Sequence, residues 1–333
     1  MKIVIFETAD WEHQACLRLA AQADFDCTHE PLNAVTAALH PDAEVVSTFI
    51  NSQANASVLA QFPKLRYVAT RSTGFDHIDA AYCKSRGVPV SNVPYYGSST
   101  VAEHVFALLL GLSRKLDTAT ERTRHGDFGR KDLRGFELDG RTMGVIGAGQ
   151  IGRRVLRIAR GFGMKTIAFD AQPDPVAAAE LGFSYADLPD VLRTADVLSL
   201  HVPGHAENAG LMGADQFALM KQGAVLINTA RGNVVDLEAL LGVLESGRLR
   251  AAGLDVLPEE TLLRDEAEVF RSPDVTPESL RSLVGVHALL RLPNVLITPH
   301  VAYNTDEALA RIIETTVANI EAFLGGVVQN QVA

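Results

Sequence analysis

Gly147-Ala148-Gly149-Gln150-Ile151-Gly152, with Asp170 farther along, is the stretch that decides the fold of this chain. Upstream, Thr142-Met143-Gly144-Val145-Ile146 is a short apolar run fit for a buried parallel strand. Downstream, Ile151, Val155, Ile158 and Ala159 fall at helical spacing, and Lys165-Thr166-Ile167-Ala168-Phe169 then reads as a second strand ending on Asp170. Strand, glycine turn, helix, strand and acid in that order is the pattern of a dinucleotide site. Glycines allow the tight turn and let backbone N–H groups approach a pyrophosphate, and the helix N-terminus adds partial positive charge. Asp170 can accept hydrogen bonds from a ribose diol and repels a 2′-phosphate, which predicts NAD rather than NADP.

Working outward, 333 residues exceed one typical core, so two domains are expected. A composition of 47% hydrophobic and 21% charged residues is that of a globular chain, and the net charge of −10 argues against nucleic acid or an anionic membrane as partner. No apolar run approaches the roughly 20 residues that span a bilayer. The start, Met1-Lys2-Ile3-Val4-Ile5-Phe6, enters a strand directly and carries no signal-peptide pattern. Cys16, Cys27 and Cys83 have no metal-ligand spacing and cannot all pair; no metal is expected, and reduced thiols in the cytoplasm are the simplest account.

Apolar runs alternate with amphipathic stretches throughout, the α/β signature. Strands are expected at 2–6, 27–30, 45–49, 65–70 and 88–91, with a helical stretch between each pair, as in a small doubly wound sheet. A long helix over 98–115 carries Val101, Val105, Leu108, Leu109 and Leu112 on its apolar face. A polar stretch over 124–140 then leads into the dinucleotide unit. Past Asp170, strands are expected at 196–201, 224–228, 251–256 and 294–298, with helices at 213–221 and 237–247. The last helix, 305–324, is expected to return to the first domain. The division predicted is 1–98 plus 301–333 for a substrate-binding domain and 99–300 for an NAD-binding domain, with ligands held in the cleft between them.

A dinucleotide domain needs a partner group that moves a proton while the nicotinamide moves a hydride. Arg231, Glu260 and His300 each follow a strand end of the second domain, so a parallel sheet places all three on one edge beside the Gly147 loop. Alone, each is ordinary: a solvated strand-end arginine, a surface carboxylate, one of ten histidines. Together they suit 2-keto-acid or 2-hydroxy-acid chemistry. A guanidinium grips a carboxylate with two parallel hydrogen bonds, an imidazole exchanges a proton near neutral pH, and a neighbouring carboxylate fixes its tautomer and favours the imidazolium.

The chain resembles the D-isomer-specific 2-hydroxyacid dehydrogenases over nearly its whole length. The motifs are the dinucleotide fingerprint, Leu200-His201-Val202-Pro203, Asn228-Thr229-Ala230-Arg231-Gly232, Gly253-Leu254-Asp255-Val256 and Thr298-Pro299-His300. Within that family it is most similar to the D-lactate dehydrogenases, through Asn92-Val93-Pro94-Tyr95-Tyr96, Val101-Ala102-Glu103-His104 and Tyr303. The resemblance implies a flavodoxin-like substrate domain and a Rossmann domain, both doubly wound parallel sheets. It implies that Arg231 binds the substrate carboxylate, that His300 is the acid–base group with Glu260 as its partner, and that the N–H groups of Thr73 and Gly74 also hold the carboxylate. Gly147, Gly149, Gln150, Ile151, Gly152, Asp170, Val202, Pro203, Asn208, Thr229, Ala230 and Asp255 are implied to line the NAD site, and Tyr96, Tyr303 and Phe49 to bound the side-chain pocket. It also implies a homodimer.

Several positions depart from the family pattern. Gly97-Ser98 stands where the lactate enzymes commonly have a residue and a proline. Leu257-Pro258 replaces an aromatic and an acidic residue, the stretch 261–291 is long, and Tyr303 adds a hydroxyl where phenylalanine is common. The implied activity is NADH-linked reduction of a small 2-keto acid, pyruvate first. The alternatives are a glyoxylate or hydroxypyruvate reductase, a reductase of a bulkier keto acid, and, from another class, an NAD-sensing corepressor-like binding protein.

Overall fold

Five parallel strands open the chain: β1 (Lys2–Ile5), β2 (Asp24–Cys27), β3 (Val45–Thr48), β4 (Tyr67–Thr70) and β5 (Val90–Ser91). They pair in the order β2-β1-β3-β4-β5, the doubly wound flavodoxin-like order. β3 and β4 are buried at every residue, which is why they read as unbroken apolar runs rather than alternating ones. Val4, Phe6, Val46, Val68 and Val90 point to one core, and Ile3, Ile5, Val45, Tyr67 and Ala69 to the other. The second core is covered by Ile313, Val317 and Ile320 from the helix Asp306–Leu324, at the spacing of one helix face. Each contributes about 1.5–3 kcal/mol by burial. Phe323 stacks on Tyr67 at 4.4 Å, and Thr305 caps the helix by accepting from the Ala308 N–H.

The computed structural model describes residues 1–258 and 276–333, and these form two compact units: Met1–Tyr96 with Asn304–Ala333, and Gly97–Tyr303. The second unit carries β6 (Thr142–Ile146), β7 (Lys165–Phe169), β8 (Ser184–Tyr185), β9 (Val197–Leu200), β10 (Ala224–Asn228), β11 (Leu249–Leu254) and β12 (Val295–Ile297). Their order is β12-β11-β10-β9-β6-β7-β8, all parallel, the Rossmann arrangement with its order reversing at β6. The helix Ser98–Arg114 lays Val105, Leu108 and Leu109 into a core with Val145, Ile227 and Ala251. It ends at Lys115, in left-handed conformation at φ 51°, and a further helix, Leu116–Arg124, follows. No helix among the described residues is long and apolar enough to cross a membrane.

The register across the large sheet positions the site. Phe169, Ile146, Leu200, Asn228, Leu254 and Ile297 are successive partners in one row across β7, β6, β9, β10, β11 and β12. The residues immediately beyond that row are Asp170, Gly147, His201, Thr229, Asp255 and Thr298. One edge of one sheet therefore gathers the polar groups that the sequence scatters over nearly 130 positions.

Candidate active site

The glycine loop follows β6. Gly147 has φ 91°, a region that favours glycine, and a Cβ there would lie 2.5 Å from the His201 carbonyl oxygen. A Cβ on Gly152 would overlap the Gly147 carbonyl oxygen, so this glycine lets the helix Gln150–Gly161 begin hard against the turn. Gly149, its N-cap, is different: no atom would lie within 4 Å of a Cβ. That open backbone, with Gln150 exposed and Ile151 half-buried in the first turn, is the approach a pyrophosphate requires. Asp170 accepts from the Ala148 N–H at 2.7 Å through one oxygen and from the Gln172 N–H at 2.8 Å through the other. These bonds fix the carboxylate beside the loop and leave each oxygen a further lone pair for a ribose hydroxyl.

Beyond β9, desolvation pushes the His201 imidazole down to about 3, so it is neutral at pH 7, with Nε2 2.8 Å from Ser199 Oγ. Val202 and Pro203 continue the loop, and Asn208 braces it by donating Nδ2–H to the Pro203 carbonyl at 2.9 Å. Beyond β10, the Asn228 side chain staples the turn: its Oδ1 accepts from the Ala230 N–H and its Nδ2 donates to the Arg231 carbonyl, both at 3.0 Å. Ala230 is buried, and the buried Thr229 Oγ1 has no hydrogen-bond partner among the described residues. An orphaned hydroxyl at this row, with the open Gly149 and the poised Asp170, fits a dinucleotide along this edge.

Arg231 leaves the same turn half-buried, its Nη1 donating to the Ala230 carbonyl at 2.8 Å. Its stem lies against Gly204, where a Cβ would come 2.7 Å from Arg231 Cγ. The two loops are tied by Asn233 Nδ2–H donating to the Gly204 carbonyl at 3.0 Å. Gly204→Ala is therefore expected to displace the guanidinium, lowering kcat/KM for a keto acid about tenfold to hundredfold, since ångström misplacements cost that much. Steady-state kinetics beside thermal unfolding checks this; unchanged kinetics would show that the Gly204 contact does not place Arg231. Gly232 has a similar reason, because a Cβ there would overlap the Leu257-Pro258 backbone.

Beyond β11, Asp255 is 1% exposed. Its Oδ1 accepts from Thr298 Oγ1 at 2.6 Å and from the Val301 N–H at 2.9 Å, and its Oδ2 from the Ala302 N–H at 2.9 Å. Burial pushes this carboxyl up, but the bonds from His104, Thr298 and the two N–H groups outweigh it and hold it below its ordinary range. Expected to line the NAD site, Asp255 directs its carboxylate to the turn that carries His300. His300 has φ 54°, a region rare for residues with a side chain, and its N–H lies 2.9 Å from both the Asp255 and Thr298 carbonyls. Its ring meets Tyr303 edge-on at 6.4 Å. Glu260 lies outside the described residues.

In the other unit, Thr73 and Gly74 follow β4 in a loop held from both sides. Thr73 Oγ1 donates to the Val93 carbonyl, Asn92 Nδ2 to the Thr73 carbonyl and Ser72 Oγ to the Gly74 carbonyl. No carbonyl among the described residues accepts from the Thr73 or Gly74 N–H. Phe49, half-buried after β3, lies under the fully buried Arg71 guanidinium at 5.4 Å, and Tyr96 accepts from Arg311 through its carbonyl at 2.9 Å.

Residues 106–302 match the model of the D-isomer specific 2-hydroxyacid dehydrogenase NAD-binding domain. The chain belongs to the D-isomer specific 2-hydroxyacid dehydrogenases. It is 35% identical to a D-lactate dehydrogenase of Escherichia coli over 96% of both chains, and 36% identical to a 2-hydroxyacid dehydrogenase homolog of Haemophilus influenzae over 98% of this chain and 97% of that one. Among solved structures, a D-lactate dehydrogenase of Aquifex aeolicus complexed with NAD and lactic acid is similar with a TM-score of 0.87 and 34% identity, covering 97% of this chain and 96% of that one. The protein is thus an NAD-dependent oxidoreductase of this family.

The sequence pointed to Arg231 and His300 but passed over Gly204, Thr298 and His104 as site residues. Gly204 follows Pro203 directly, and Thr298 opens the motif that carries His300, so motif adjacency was the available signal. For His104 the signal was an imidazole on a helix otherwise turned to the core by Val101, Val105 and Leu108.

Proposed function

We propose that this dehydrogenase reduces pyruvate to D-lactate with NADH, as a cytoplasmic homodimer. The observation that carries the reading is the single register row that ends in the glycine loop, Thr229, Asp255 and Thr298, with Arg231 and His300 a few residues beyond it. The lactate-named relatives support the small substrate.

NADH, when bound, supplies the hydride to the keto carbon. Arg231 grips the substrate carboxylate with its planar fork and polarises the adjacent keto oxygen. The Thr73 and Gly74 N–H groups supply further donors to a carboxylate. His300 holds a proton at a ring nitrogen and delivers it to the keto oxygen as that oxygen gains charge, and in the reverse direction accepts it. Glu260 favours the charged imidazole. Phe49, Tyr96 and Tyr303 bound the substrate side chain, and Asp170 selects the unphosphorylated ribose.

NADH oxidation with pyruvate, glyoxylate, hydroxypyruvate, 2-ketoisocaproate and phenylpyruvate tests the reading. The highest kcat/KM is expected for pyruvate, with D-lactate as product. A higher value for another acid replaces the substrate, and no turnover with any of them favours the nucleotide-sensing alternative. In the same assay Asp170→Ala is expected to erode the preference for NADH over NADPH about tenfold, the worth of one charge-assisted hydrogen bond. A wild type that uses NADPH as well as NADH would overturn the role of Asp170.

A further inference from the structure

His104 sits on the buried side of the helix Ser98–Arg114, its side chain 19% exposed. Its Nε2 lies 3.0 Å from Thr298 Oγ1 and 3.4 Å from Asp255 Oδ1. The donors can be ordered from these distances. Asp255, ionised, only accepts, so the hydroxyl hydrogen of Thr298 goes to Oδ1 across their 2.6 Å contact. Thr298 Oγ1 then presents a lone pair to His104, whose Nε2 must carry a hydrogen. The chain runs His104 Nε2–H to Thr298 Oγ1–H to Asp255 Oδ1, and Asp255 binds the Val301 and Ala302 N–H groups on the far side of His300.

His300 is thus bracketed. Residue 298 before it and residues 301 and 302 after it are tied to one carboxylate, and its own N–H reaches the Asp255 carbonyl. A side-chain-bearing residue at φ 54° costs on the order of 1 kcal/mol and persists only where its surroundings over-determine it. Removing the His104 donor would leave Thr298 an unmatched acceptor and free its hydroxyl to turn from Asp255. We infer that His104 is a positioning residue for the reaction: from a separate helix it locks Thr298 onto Asp255 and so holds the left-handed turn that aims His300. This rests on the reading of His300 as the acid–base group.

The test uses His104→Leu, His104→Gln, Thr298→Val and His300→Ala with NADH and pyruvate, together with NMR of the histidine ring resonances without ligand. In His104→Leu, kcat is expected to fall about tenfold to hundredfold for a misaimed acid, with KM for pyruvate changed by less than about twofold. The His300 ring resonances shift in that variant. In His104→Gln, whose side-chain amide also donates, both kcat and the resonances recover most of the way. Thr298→Val, which removes the middle of the chain at nearly constant shape, reproduces the loss of kcat, and it decides the question if His104→Leu fails to fold. Unchanged kcat in His104→Leu, or in Thr298→Val, while His300→Ala is inactive overturns the role of His104 alone. So does a loss that tracks thermal stability and that His104→Gln does not restore. An active His300→Ala overturns instead the reading on which the inference rests.

Discussion

Arg231→Lys is expected to lower kcat/KM for the keto acid by two to three orders of magnitude while NADH affinity stays nearly unchanged. Lysine keeps the charge and loses the planar two-point fork. Each charge-assisted hydrogen bond so lost is worth about 1.5–3 kcal/mol, or roughly ten- to a hundredfold. The local structure makes the loss hard to recover. The arginine stem rests on Gly204, and Nη1 is pinned to the Ala230 carbonyl, so the fork leaves its turn in a set direction. A lysine ammonium has three donors on one nitrogen but neither the planar parallel pair nor that anchoring. Keto-acid kinetics beside fluorescence titration of NADH separate the two effects. Near-normal kcat/KM in Arg231→Lys would remove Arg231 from substrate binding.

The chemistry of this site was legible mainly where strands are buried on both faces. β3, β4, β6, β9 and β10 are covered at every residue, so their apolar runs stand out, and the motif after each one could be placed on a sheet edge. Two of the four edge strands, β2 and β8, gave no such signal. The expected strand at 27–30 lies instead at Asp24–Cys27, where two aspartates on a half-covered edge mask the strand, and the two-residue β8 is too short to leave an apolar run. The helix Leu116–Arg124 was likewise unexpected, because it buries none of its residues and so shows no apolar stripe. At the site itself, the glycine loop and Asp170 could be read because their spacing is local. The link from His104 to Thr298 could not, since it joins positions 194 residues apart through a tertiary contact. The bonds from Asp255 to the turn that carries His300 are likewise tertiary, joining positions more than 40 residues apart.

The second large effect concerns the proton. His300→Ala is expected to lower kcat about 10²–10⁴-fold, the usual loss for a positioned acid–base group. Hydride addition turns the keto oxygen into an alkoxide, and in the proposed reaction His300 delivers the proton that quenches that charge. The group must therefore be charged when the substrate arrives, which sets the alkaline limb of kcat/KM in the direction of reduction. The Asp255 oxygens bind Thr298 and the Val301 and Ala302 N–H groups, so this carboxylate holds the backbone that carries His300. Glu260 is the carboxylate assigned to favour the charged imidazole. An anion beside an imidazole favours the imidazolium, so its removal as Glu260→Gln should move the alkaline limb toward lower pH and leave activity at acid pH largely intact. Oxidation of D-lactate requires the neutral imidazole, so its acid limb should move to lower pH in the same variant. Both profiles, measured for wild type and Glu260→Gln, make the test two-sided. Limbs that stay in place would return Glu260 to the status of a solvated loop carboxylate, and limbs moving in opposite directions would show that the titrating group is not the one that carries the transferred proton.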